Sequence, residues 1–541
     1  MDAVEQGRDD LGAWLAGQPV NFFEADPLLQ ILVRDAIPAD RIEVLRRFGA
    51  VAAGPLDAAV VENNRAGNLP VLATHDAVGR HVAGFAHHPS YHRAGALIYG
   101  SGIMAAYETV PNPHRFILAL FYLSSHVGEG GHNCPLACTA GAIRALQALG
   151  TDSQRATWLP RLLRPVYGEH AAGAQFLTEV QGGSDVGANA VRARRHPDGS
   201  YSITGEKWFC SSADADLFLM TARPEEGASG TAGLGLFLVP RDAGGAPNGF
   251  RLRRLKDKLG TRSMVTAEIE FDGARAEALG PIEDGFRNVM ERIIDTSRLY
   301  NAFACAGAAH RAYLVARGFA LHRRAFGGPI ARFPLVRETL AMLLADAEAA
   351  LAGSFWLAAI QERVDRGDAD DGEKAFLRMG LNLNKVRTAR LSHDAVNRGI
   401  EVLGGNGTIE TFSVLPRLLR DNVVFENWEG TNHVLRMQVM RDGARRGAHE
   451  GFFAVLEGRL GRAALARDRE GFERSVREQD TLLLRRVCDR LGTWIHLAAL
   501  AGVDDPAIRA RAELSALRHL ASDPIRDGYA ALIERCDASL R

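Results

Sequence analysis

Three long helical segments follow Pro281 and constrain the fold more than any other feature of the sequence. They span residues 285–326, 334–364 and 374–403, and each carries a broad apolar stripe at helical spacing. Each is far longer than the average helix of about 11 or 12 residues. Because long helices of this kind bury their stripes by packing against one another, a four-helix bundle is predicted for residues 283–440.

The segment before the bundle has a different pattern. Between Gln175 and Leu279 the chain shows short alternating runs, including SYSITGEKWF, LFLMTA and AEIEF. Asp198-Gly199 lies between two such runs, which predicts a hairpin turn. A compact β domain, a barrel-like or sandwich-like sheet, is therefore expected over residues 171–282.

Helical patterns also flank these two regions. An N-terminal extension and an α-helical domain are predicted for residues 1–170, with clear helical spacing from Phe116 to Leu163. A further helical domain is predicted for residues 441–541. The expected fold class is α+β: helices, a central β domain, a four-helix bundle and an added C-terminal helical domain.

Composition excludes several classes of protein. The formal net charge of the 541 residues is -1 and the pI is about 7.0, so there is no general attraction to nucleic acid or an anionic membrane. We find no secretory signal and no apolar run long enough to span a bilayer. Six scattered cysteines suit a reducing compartment, and a cytoplasmic location is expected.

Two pairs of residues have metal-ligand spacing. Cys134 and Cys138 share a helix face, but no second pair completes a zinc set, so burial as small apolar residues is predicted. His88 and His92 lack a third ligand, which favours a structural histidine pair. No metal site is expected.

Two motifs of the β domain carry groups suited to a ligand. FLTEVQGGSDVGANA, residues 176–190, could place donors of Thr178 and Ser184 against a polar ligand, or could form a glycine-rich turn. GEKWFCSS, residues 205–212, could hold a flat heteroaromatic ring with Phe209 and Ser211, or could pack into a core. Neither motif decides between its alternatives.

Two more motifs lie in the helical region. In LHRRAFGGPI, residues 321–330, basic side chains could simply satisfy the last carbonyls of a helix. In residues 401–439, Gly404 and Gly405 could let the backbone approach a diphosphate, or could end a helix. Glu429, in FENWEGTNHV, either caps a helix start or does chemistry.

Together these motifs resemble those of one family. TEVQGGSD, GEKWFCSS, RRAFG, EVLGGNG, LLRD and WEGT resemble, in the same order over residues 115–440, the acyl-CoA dehydrogenase family of flavoproteins. HHPSYH, CPLACT and RLKDKLGTRS are most similar to its AidB-like branch, which has an extended N-terminus and an added C-terminal helical domain. The resemblance implies that FAD is the cofactor. It also implies a homo-oligomer, namely a homotetramer, in which neighbouring subunits complete each other's FAD sites.

The resemblance also assigns cofactor contacts. Thr178 and Ser211 would hydrogen-bond the isoalloxazine, and Phe209 would pack on it. Arg323 and Phe326, from a neighbouring subunit, would hold the pyrophosphate and adenine. The remaining contacts implied for FAD are Gly404, Gly405, Thr431, Ser184 and His433, of which His433 replaces the family's glutamine.

Substrate contacts follow in the same way. Glu429 matches the family's catalytic base, with Gly430 beside it. The residues implied for acyl-CoA binding are Ser184, which would meet the CoA portion, Asp295, Arg298, Arg436 and Trp428, which replaces a common tyrosine. The implied reaction is α,β-dehydrogenation of an acyl-CoA to a trans-2-enoyl-CoA, with electron-transfer flavoprotein or oxygen as the acceptor.

Two alternatives stay open. The AidB-like resemblance suggests a DNA-binding flavoprotein of the alkylation response, but the arginines of the C-terminal region alternate with acids, which predicts ion pairs within helices. Nucleic acid and membrane are therefore not expected partners. A flavin oxidase or monooxygenase of the same superfamily is the other alternative, although an aspartate in place of Glu429 would suit nitroalkane oxidation better.

Overall fold

The structure, a computed structural model, describes residues 3–225, 228–521 and 527–537, and the chain forms two compact units. The first unit comprises the described residues of Met1–Gly54, Asn112–Gly128 and Asn301–Arg541. The second comprises those of Pro55–Pro111 and Glu129–Tyr300. Segments distant in sequence therefore fold together in each unit.

Helices make up most of the first unit and part of the second. The α-helices are α1 Ala3–Ala16, α2 Pro27–Arg34, α3 Ala39–Val51, α4 Asp57–Asn63, α5 Pro89–Tyr99, α6 Ala106–Thr109, α7 His114–Ser125, α8 Gly130–Leu149, α9 Asp152–Leu162, α10 Gly285–Asn288, α11 Asp295–His322, α12 Pro334–Arg366, α13 Asp371–Leu403, α14 Leu415–Asn427, α15 Asn432–Arg446, α16 Ala448–Leu460, α17 Arg462–Glu478, α18 Thr481–Leu500, α19 Pro506–Leu520 and α20 Tyr529–Cys536.

The strands lie mostly in the second unit. They are β1 Val71–His75, β2 His81–Ala86, β3 Gly173–Phe176, β4 Arg192–Arg195, β5 Tyr201–Ser211, β6 Leu217–Pro224, β7 Gly235–Pro240, β8 Asp242–Ala243, β9 Ala246–Pro247, β10 Phe250–Leu255, β11 Thr266–Ala278, β12 Arg324–Ala325 and β13 Gly328–Pro329.

Pairings among the central strands close into a ring, β5-β4-β6-β7-β11, with β11 pairing back to β5. β10 adds to β11, and β3 adds to β6 in parallel. The inward faces supply a core that includes the fully buried Phe176, Phe218 and Phe271. The predicted barrel-like β domain is confirmed.

The turn between β4 and β5 is the predicted hairpin. Gly199 has φ of +84°, and the backbone N–H of His196 donates to the Ser200 carbonyl at 2.8 Å. A left-handed φ is favourable for glycine because it lacks Cβ, which explains why Asp198-Gly199 marks this turn.

The predicted bundle forms in the first unit, from α11, α12, α13 and α14. Its core contains Ala312, Leu343, Val396 and Leu415, one from each helix. Contrary to the expectation from the sequence, α12 is long and apolar enough by length and composition to cross a membrane, but 83% of its apolar window is buried within the protein. Burial against its neighbours explains that composition.

Buried ion pairs tie α19, one of the C-terminal helices, to α12 of the bundle. The Arg511 guanidinium lies 2.6 Å from Oε2 and 2.7 Å from Oε1 of Glu348 on α12. Arg518 lies 2.9 Å from Asp346. The predicted boundary after residue 440 falls inside α15, and the division of the chain into four domains remains a prediction.

All six cysteines are free and buried, including Cys134 and Cys138 on α8. The interpretation of this pair as small apolar core residues is confirmed. His88 accepts from the Ser90 backbone N–H at the start of α5, and His92 Nδ1 lies 3.0 Å from the Tyr167 hydroxyl. These hydrogen bonds agree with the structural interpretation of the two histidines.

Candidate functional site

The loop that carries Thr178 is fixed by a buried ion pair in the second unit. Lys207 Nζ lies 2.8 Å from Glu179 Oε1, and the two side chains are 0% and 4% exposed. Lys207 also donates to the Leu177 carbonyl at 3.2 Å, and Glu179 accepts from the Ala190 backbone N–H at 2.6 Å. Burial raises the pKa of Glu179, but the Lys207 ammonium and the hydrogen bonds from Ala190 and Gln181 together hold that pKa below its usual value.

A β-bulge in β5 turns an aromatic ring outward. Trp208 and Phe209 together lie opposite Glu268 of β11, where the register of the two strands shifts. Phe209 is 49% exposed, whereas the next residue, Cys210, is fully buried. The backbone N–H of Trp208 donates to the Thr178 carbonyl at 2.9 Å. Bulges often re-aim side chains at functional sites, and this one presents Phe209 beside the Thr178 loop.

A cation accompanies the aromatic pair. Lys256 Nζ lies 3.4 Å from the ring centre of Trp208 and 4.7 Å from that of Phe209. It also lies 2.8 Å from Glu268 Oε1. Cation–π attraction and the ion pair both hold this ammonium in place, so the aromatic surface has a fixed positive charge at its edge.

The predicted hydroxyl donors lie at different exposures. Thr178 and Ser211 are half-buried, and Ser211 Oγ lies 3.3 Å from Thr266 Oγ1. Ser184 is exposed on the loop. A Cβ at Gly183 would come within 2.5 Å of Thr178 Oγ1, so only glycine fits there. The structure thus brings Thr178, Phe209 and Ser211 to one part of the β domain, as an isoalloxazine site requires.

Asp295 and Arg298 start α11, directly after a π-helical segment, Val289–Ile294. Arg298 Nη1 lies 3.0 Å from Asp295 Oδ1, with side chains 3% and 15% exposed. Their predicted position on one helix face is confirmed. π-Helical insertions are frequent at functional sites, but a contact of this pair with substrate stays a prediction.

Glu429 belongs to the first unit, in the linker between α14 and α15. Its backbone φ is +55°, a left-handed conformation that non-glycine residues rarely adopt, and φ of Gly430 is +104°. The Glu429 side chain is half-buried, with Oε2 shielded from solvent. Glu429 is not itself the N-cap residue of α15, because Thr431 takes that position. Strained backbone of this kind is typical of functional sites, where the surroundings hold it.

Trp428, beside Glu429, is fixed by its neighbours. Its Nε1–H donates to Asn301 Oδ1 at 2.6 Å, and Asn301 Nδ2 donates to the Phe425 carbonyl at 3.2 Å. The indole also stacks on Phe425, with ring centres 5.3 Å apart. The indole therefore has one defined orientation next to the candidate base.

The three residues predicted after Glu429 differ in their surroundings. Thr431 is half-buried, and its side chain forms no capping hydrogen bond. His433 is exposed. Arg436 is buried, with Nη2 2.6 Å from Asp489 Oδ1 on α18. This contact commits that nitrogen to an interhelical ion pair, and the substrate-binding role of Arg436 stays a prediction.

A pocket of about 400 Å³ in the first unit includes Arg323, Gly404 and Gly405 in its lining. A Cβ at either glycine would meet nothing within 4 Å, so both face open space. Phe326, at φ of +49°, is 91% exposed close by in sequence. A guanidinium beside accessible backbone suits a pyrophosphate, so these residues fit the FAD contacts that the resemblance implied.

Several residues that position the site escaped the sequence-based prediction. Glu179 lies within the motif TEV and Lys207 within EKW. Their presence in these motifs was the one sequence signal that could have identified them. Lys256 and Asn301 contact residues distant in sequence, and no local pattern marks them.

The C-terminal arginines form only part of the predicted pattern of ion pairs within helices. Arg469 contacts Glu473 on its own helix, but also Glu450 and Glu457 on α16. Among the described residues of α17 and α18, five exposed arginines form no ion pair: Arg462, Arg467, Arg474, Arg485 and Arg486. Asp468 of α17 pairs with Arg490 of α18, and Arg469 takes Glu450, Glu457 and Glu473, so these acids already have other partners.

One cluster has metal-ligand geometry among the described residues, His449, Glu450 and Glu473. The Arg469 guanidinium contacts both of these carboxylates. A cation of the protein itself thus already pairs with both carboxylates.

Comparison with known proteins places these features in one family. The domain descriptions that match are "Adaptive response protein AidB N-terminal domain" over residues 16–169, "Acyl-CoA dehydrogenase, middle domain" over 174–274 and "Acyl-CoA dehydrogenase, C-terminal domain" over 283–443. The matches cover all the motifs from which the resemblance was inferred.

Similar sequences span most of the chain. Acyl-CoA dehydrogenase family member 11 of Caenorhabditis elegans is 31% identical over 443 residues, 78% of this chain and 70% of that protein. Putative acyl-CoA dehydrogenase AidB of Escherichia coli K12 is 34% identical over 392 residues, 69% of each chain.

Solved structures agree. Bd2924 in its apo form has a TM-score of 0.81 at 30% identity, covering 88% of this chain and 98% of that one. ACDH-11 of Caenorhabditis elegans, in complex with C11-CoA, has a TM-score of 0.80 at 25% identity, covering 97% and 92%. Both the predicted fold and the predicted AidB-like branch are confirmed. The chain belongs to the acyl-CoA dehydrogenase family, with an N-terminal domain of the AidB type, and this membership implies FAD as its cofactor.

Proposed function

We propose that the protein catalyses FAD-dependent α,β-dehydrogenation of an acyl-CoA to a trans-2-enoyl-CoA. The observation that carries the proposal is Glu429, a glutamate held at φ of +55° with one carboxylate oxygen shielded from solvent, beside the fixed indole of Trp428. A carboxylate in a shielded site is a suitable general base.

The α C–H of a thioester is a weak acid, so the carbonyl must be polarised as the proton leaves. Glu429 takes the α-proton, and its backbone N–H donates to the thioester oxygen. FAD, when bound, accepts the hydride from Cβ. Trp428 excludes water from the site and limits the width of the pocket over the acyl chain.

A CoA thioester as substrate is supported by two observations. ACDH-11 of Caenorhabditis elegans was solved with C11-CoA. Asp295 and Arg298 keep the spacing and the common helix face expected for acyl-CoA contacts, and Ser184 is exposed, as a residue that meets the CoA portion would be.

FAD would be held by two sets of residues, each described within its own unit. Thr178, Phe209 and Ser211 suit the isoalloxazine, and Arg323 with the two glycines at 404 and 405 suits the pyrophosphate of FAD from another subunit. The exposure of Phe326, 91%, supports assembly as a homotetramer, because a neighbouring subunit would cover this side chain. Native mass spectrometry tests the tetramer.

The electron acceptor is electron-transfer flavoprotein or oxygen, and the location proposed is the cytoplasm. Support for the location is the complete set of free, buried cysteines, which suits a reducing compartment.

The test is anaerobic mixing of the purified holoprotein with acyl-CoAs of different chain length and branching. We expect loss of the oxidised-flavin absorbance with at least one ester, and formation of the enoyl-CoA. If no ester bleaches the flavin, the proposed reaction fails. Repeating the reaction with oxygen or with electron-transfer flavoprotein then identifies the acceptor.

Binding of double-stranded DNA is a second candidate, favoured by the exposed arginines of α17 and α18 that form no ion pair in the described residues. Five exposed guanidinium groups can each neutralise a phosphate. Retention of the holoprotein on duplex DNA at physiological salt, lost in an Arg474→Gln/Arg485→Gln/Arg486→Gln variant, would support it. Retention that is unchanged in this variant would remove the surface from consideration.

A further inference from the structure

We propose that Lys385 is a positioning residue for Glu429: its ammonium holds the linker that carries Glu429 in the left-handed conformation needed for proton abstraction. The chemical part of this inference rests on the proposed function, whereas its structural part does not.

Lys385 is completely buried in the middle of α13. Its Nζ donates to the Glu426 carbonyl at 3.0 Å and to the Gly430 carbonyl at 3.1 Å. These carbonyls lie on either side of Trp428 and Glu429 in the sequence. A single buried ammonium thus spans the linker.

The two acceptors explain why a lysine is suited to this place. Glu426 lies in the last turn of α14, where carbonyls have no partner within the helix and carry the negative end of its dipole. Gly430 directly follows Glu429 and has φ of +104°. Charge-assisted hydrogen bonds are about twice as strong as neutral ones, so a cation can hold a conformation that the free chain would avoid.

Asn301 holds the same linker from a second helix. Its side chain donates to the Phe425 carbonyl at 3.2 Å and accepts from Trp428 Nε1 at 2.6 Å. Asn301 fixes the indole, while Lys385 fixes the peptides around Glu429. The two residues leave the linker little freedom to relax.

The buried thiol of Cys305 shows that Lys385 and Glu429 share one environment. Burial raises the pKa of Cys305; Lys385 opposes that rise and Glu429 adds to it. Both charges therefore act on the same buried group. Lys385 accordingly supplies positive charge close to the candidate base as well as hydrogen bonds.

The structural test is a crystal structure of the Lys385→Met holoprotein beside the unmodified one. We expect the backbone of Glu429 to leave its left-handed conformation, or the linker from Trp428 to Thr431 to lose order. A Glu429 φ still within about 20° of its original value would overturn the inference, because ordinary elements scatter by that much. This readout does not depend on any reaction.

The chemical test uses a 3-thia-acyl-CoA, whose acidified α-proton can be removed although the analogue cannot be oxidised. Its enolate gives a long-wavelength charge-transfer band with oxidised flavin. In Lys385→Met we expect FAD and the analogue to bind, while the band forms about 100-fold more slowly, as for a misplaced catalytic group. A band that forms at the original rate would overturn the inference.

The matched control is Lys374→Met, on the same helix, where the half-exposed ammonium contacts Asp371 at 3.1 Å. The band should form there at the original rate. If Lys385→Met does not fold, Lys385→Gln takes its place, because glutamine keeps a neutral hydrogen-bond donor. The charge-transfer band should form more slowly in Lys385→Gln than in the unmodified protein, although by a smaller factor. A band that forms at the original rate in Lys385→Gln would overturn the inference. Absence of a band in the unmodified protein would count against the proposed function, and the crystal structure would still decide the role of Lys385.

Discussion

The Lys207 ammonium lies 2.8 Å from the Glu179 carboxylate, and both side chains are almost completely buried. The pair joins β5 to the loop that carries Thr178, so two motifs separated in sequence are fixed together. A buried pair of this kind is sensitive to loss of one partner, because the remaining charge is left without compensation.

Replacing Lys207 by Met should destabilise the second unit by about 3–5 kcal/mol and weaken FAD binding, because Glu179 would remain buried and unpaired. Urea denaturation and titration of the apoprotein with FAD measure the two effects. A Lys207→Met/Glu179→Leu variant should recover much of the stability. Equal stability of Lys207→Met and the unmodified protein would contradict this account of the loop.

Two neighbouring arginines allow a controlled test of the pyrophosphate pocket. Arg323 is part of the pocket lining, whereas Arg324 is exposed on the short strand β12. Arg323→Met should weaken FAD binding by about tenfold or more, as expected for loss of a charge-assisted hydrogen bond of 1.5–3 kcal/mol. Arg324→Met should bind FAD normally. Fluorescence titration compares the two, and equal affinities would exclude Arg323 from the cofactor site.

The contact of Arg511 with Glu348 anchors the C-terminal helices. Arg511→Met should cost about 3–5 kcal/mol, since Glu348 would lose its buried partner. Hydrogen exchange should rise in α19 and α20. The control is Arg509→Met, whose exposed guanidinium pairs with Asp504 at the surface. Unchanged protection of α19 and α20 in Arg511→Met would contradict the anchoring role.

His496 should make the protein sensitive to acid. Burial lowers its pKa from 6.5 to about 3, and its Nε2 lies 2.8 Å from Asn384 Oδ1. The unfolded chain therefore binds a proton below pH 6.5 that the folded chain does not, so stability is lost as pH falls below 6.5 towards 3. The loss amounts to about 2 kcal/mol between pH 6.5 and pH 5.

His496→Gln keeps a donor for Asn384 but cannot titrate. The melting temperature of this variant should fall less steeply than that of the unmodified protein between pH 6.5 and 5. Parallel curves for the two proteins would show that His496 is not responsible.

Much of the fold could be predicted because it follows local periodicity. The apolar stripes of α12 and α13 and the Asp198-Gly199 turn are local signals, and the structure contains the bundle and the hairpin that they predict. Contacts between distant residues leave no such signal. Lys385 and Gly430 are 45 residues apart, and nothing near either residue marks their hydrogen bond.

The candidate site shows the same division. The sequence motifs identified Thr178, Phe209, Ser211 and Glu429 as candidate site residues. They did not predict the local backbone geometry that makes each side chain accessible. The bulge at Phe209 depends on pairing with β11, and the left-handed φ of Glu429 depends on packing of the linker. Acids near a helix start are common, so the sequence alone could not separate a helix-start role of Glu429 from a catalytic one.

The most direct test of the central claim is the rate of anaerobic flavin reduction in Glu429→Gln, measured by stopped flow with an acyl-CoA that reduces the unmodified protein. Glu426→Gln is the matched control, since that side chain contacts His393 on α13. The account predicts that Glu429→Gln retains bound FAD, while reduction slows by about 10²–10⁴-fold, the usual contribution of a general base. Reduction of Glu429→Gln at the same rate as the unmodified protein would contradict it.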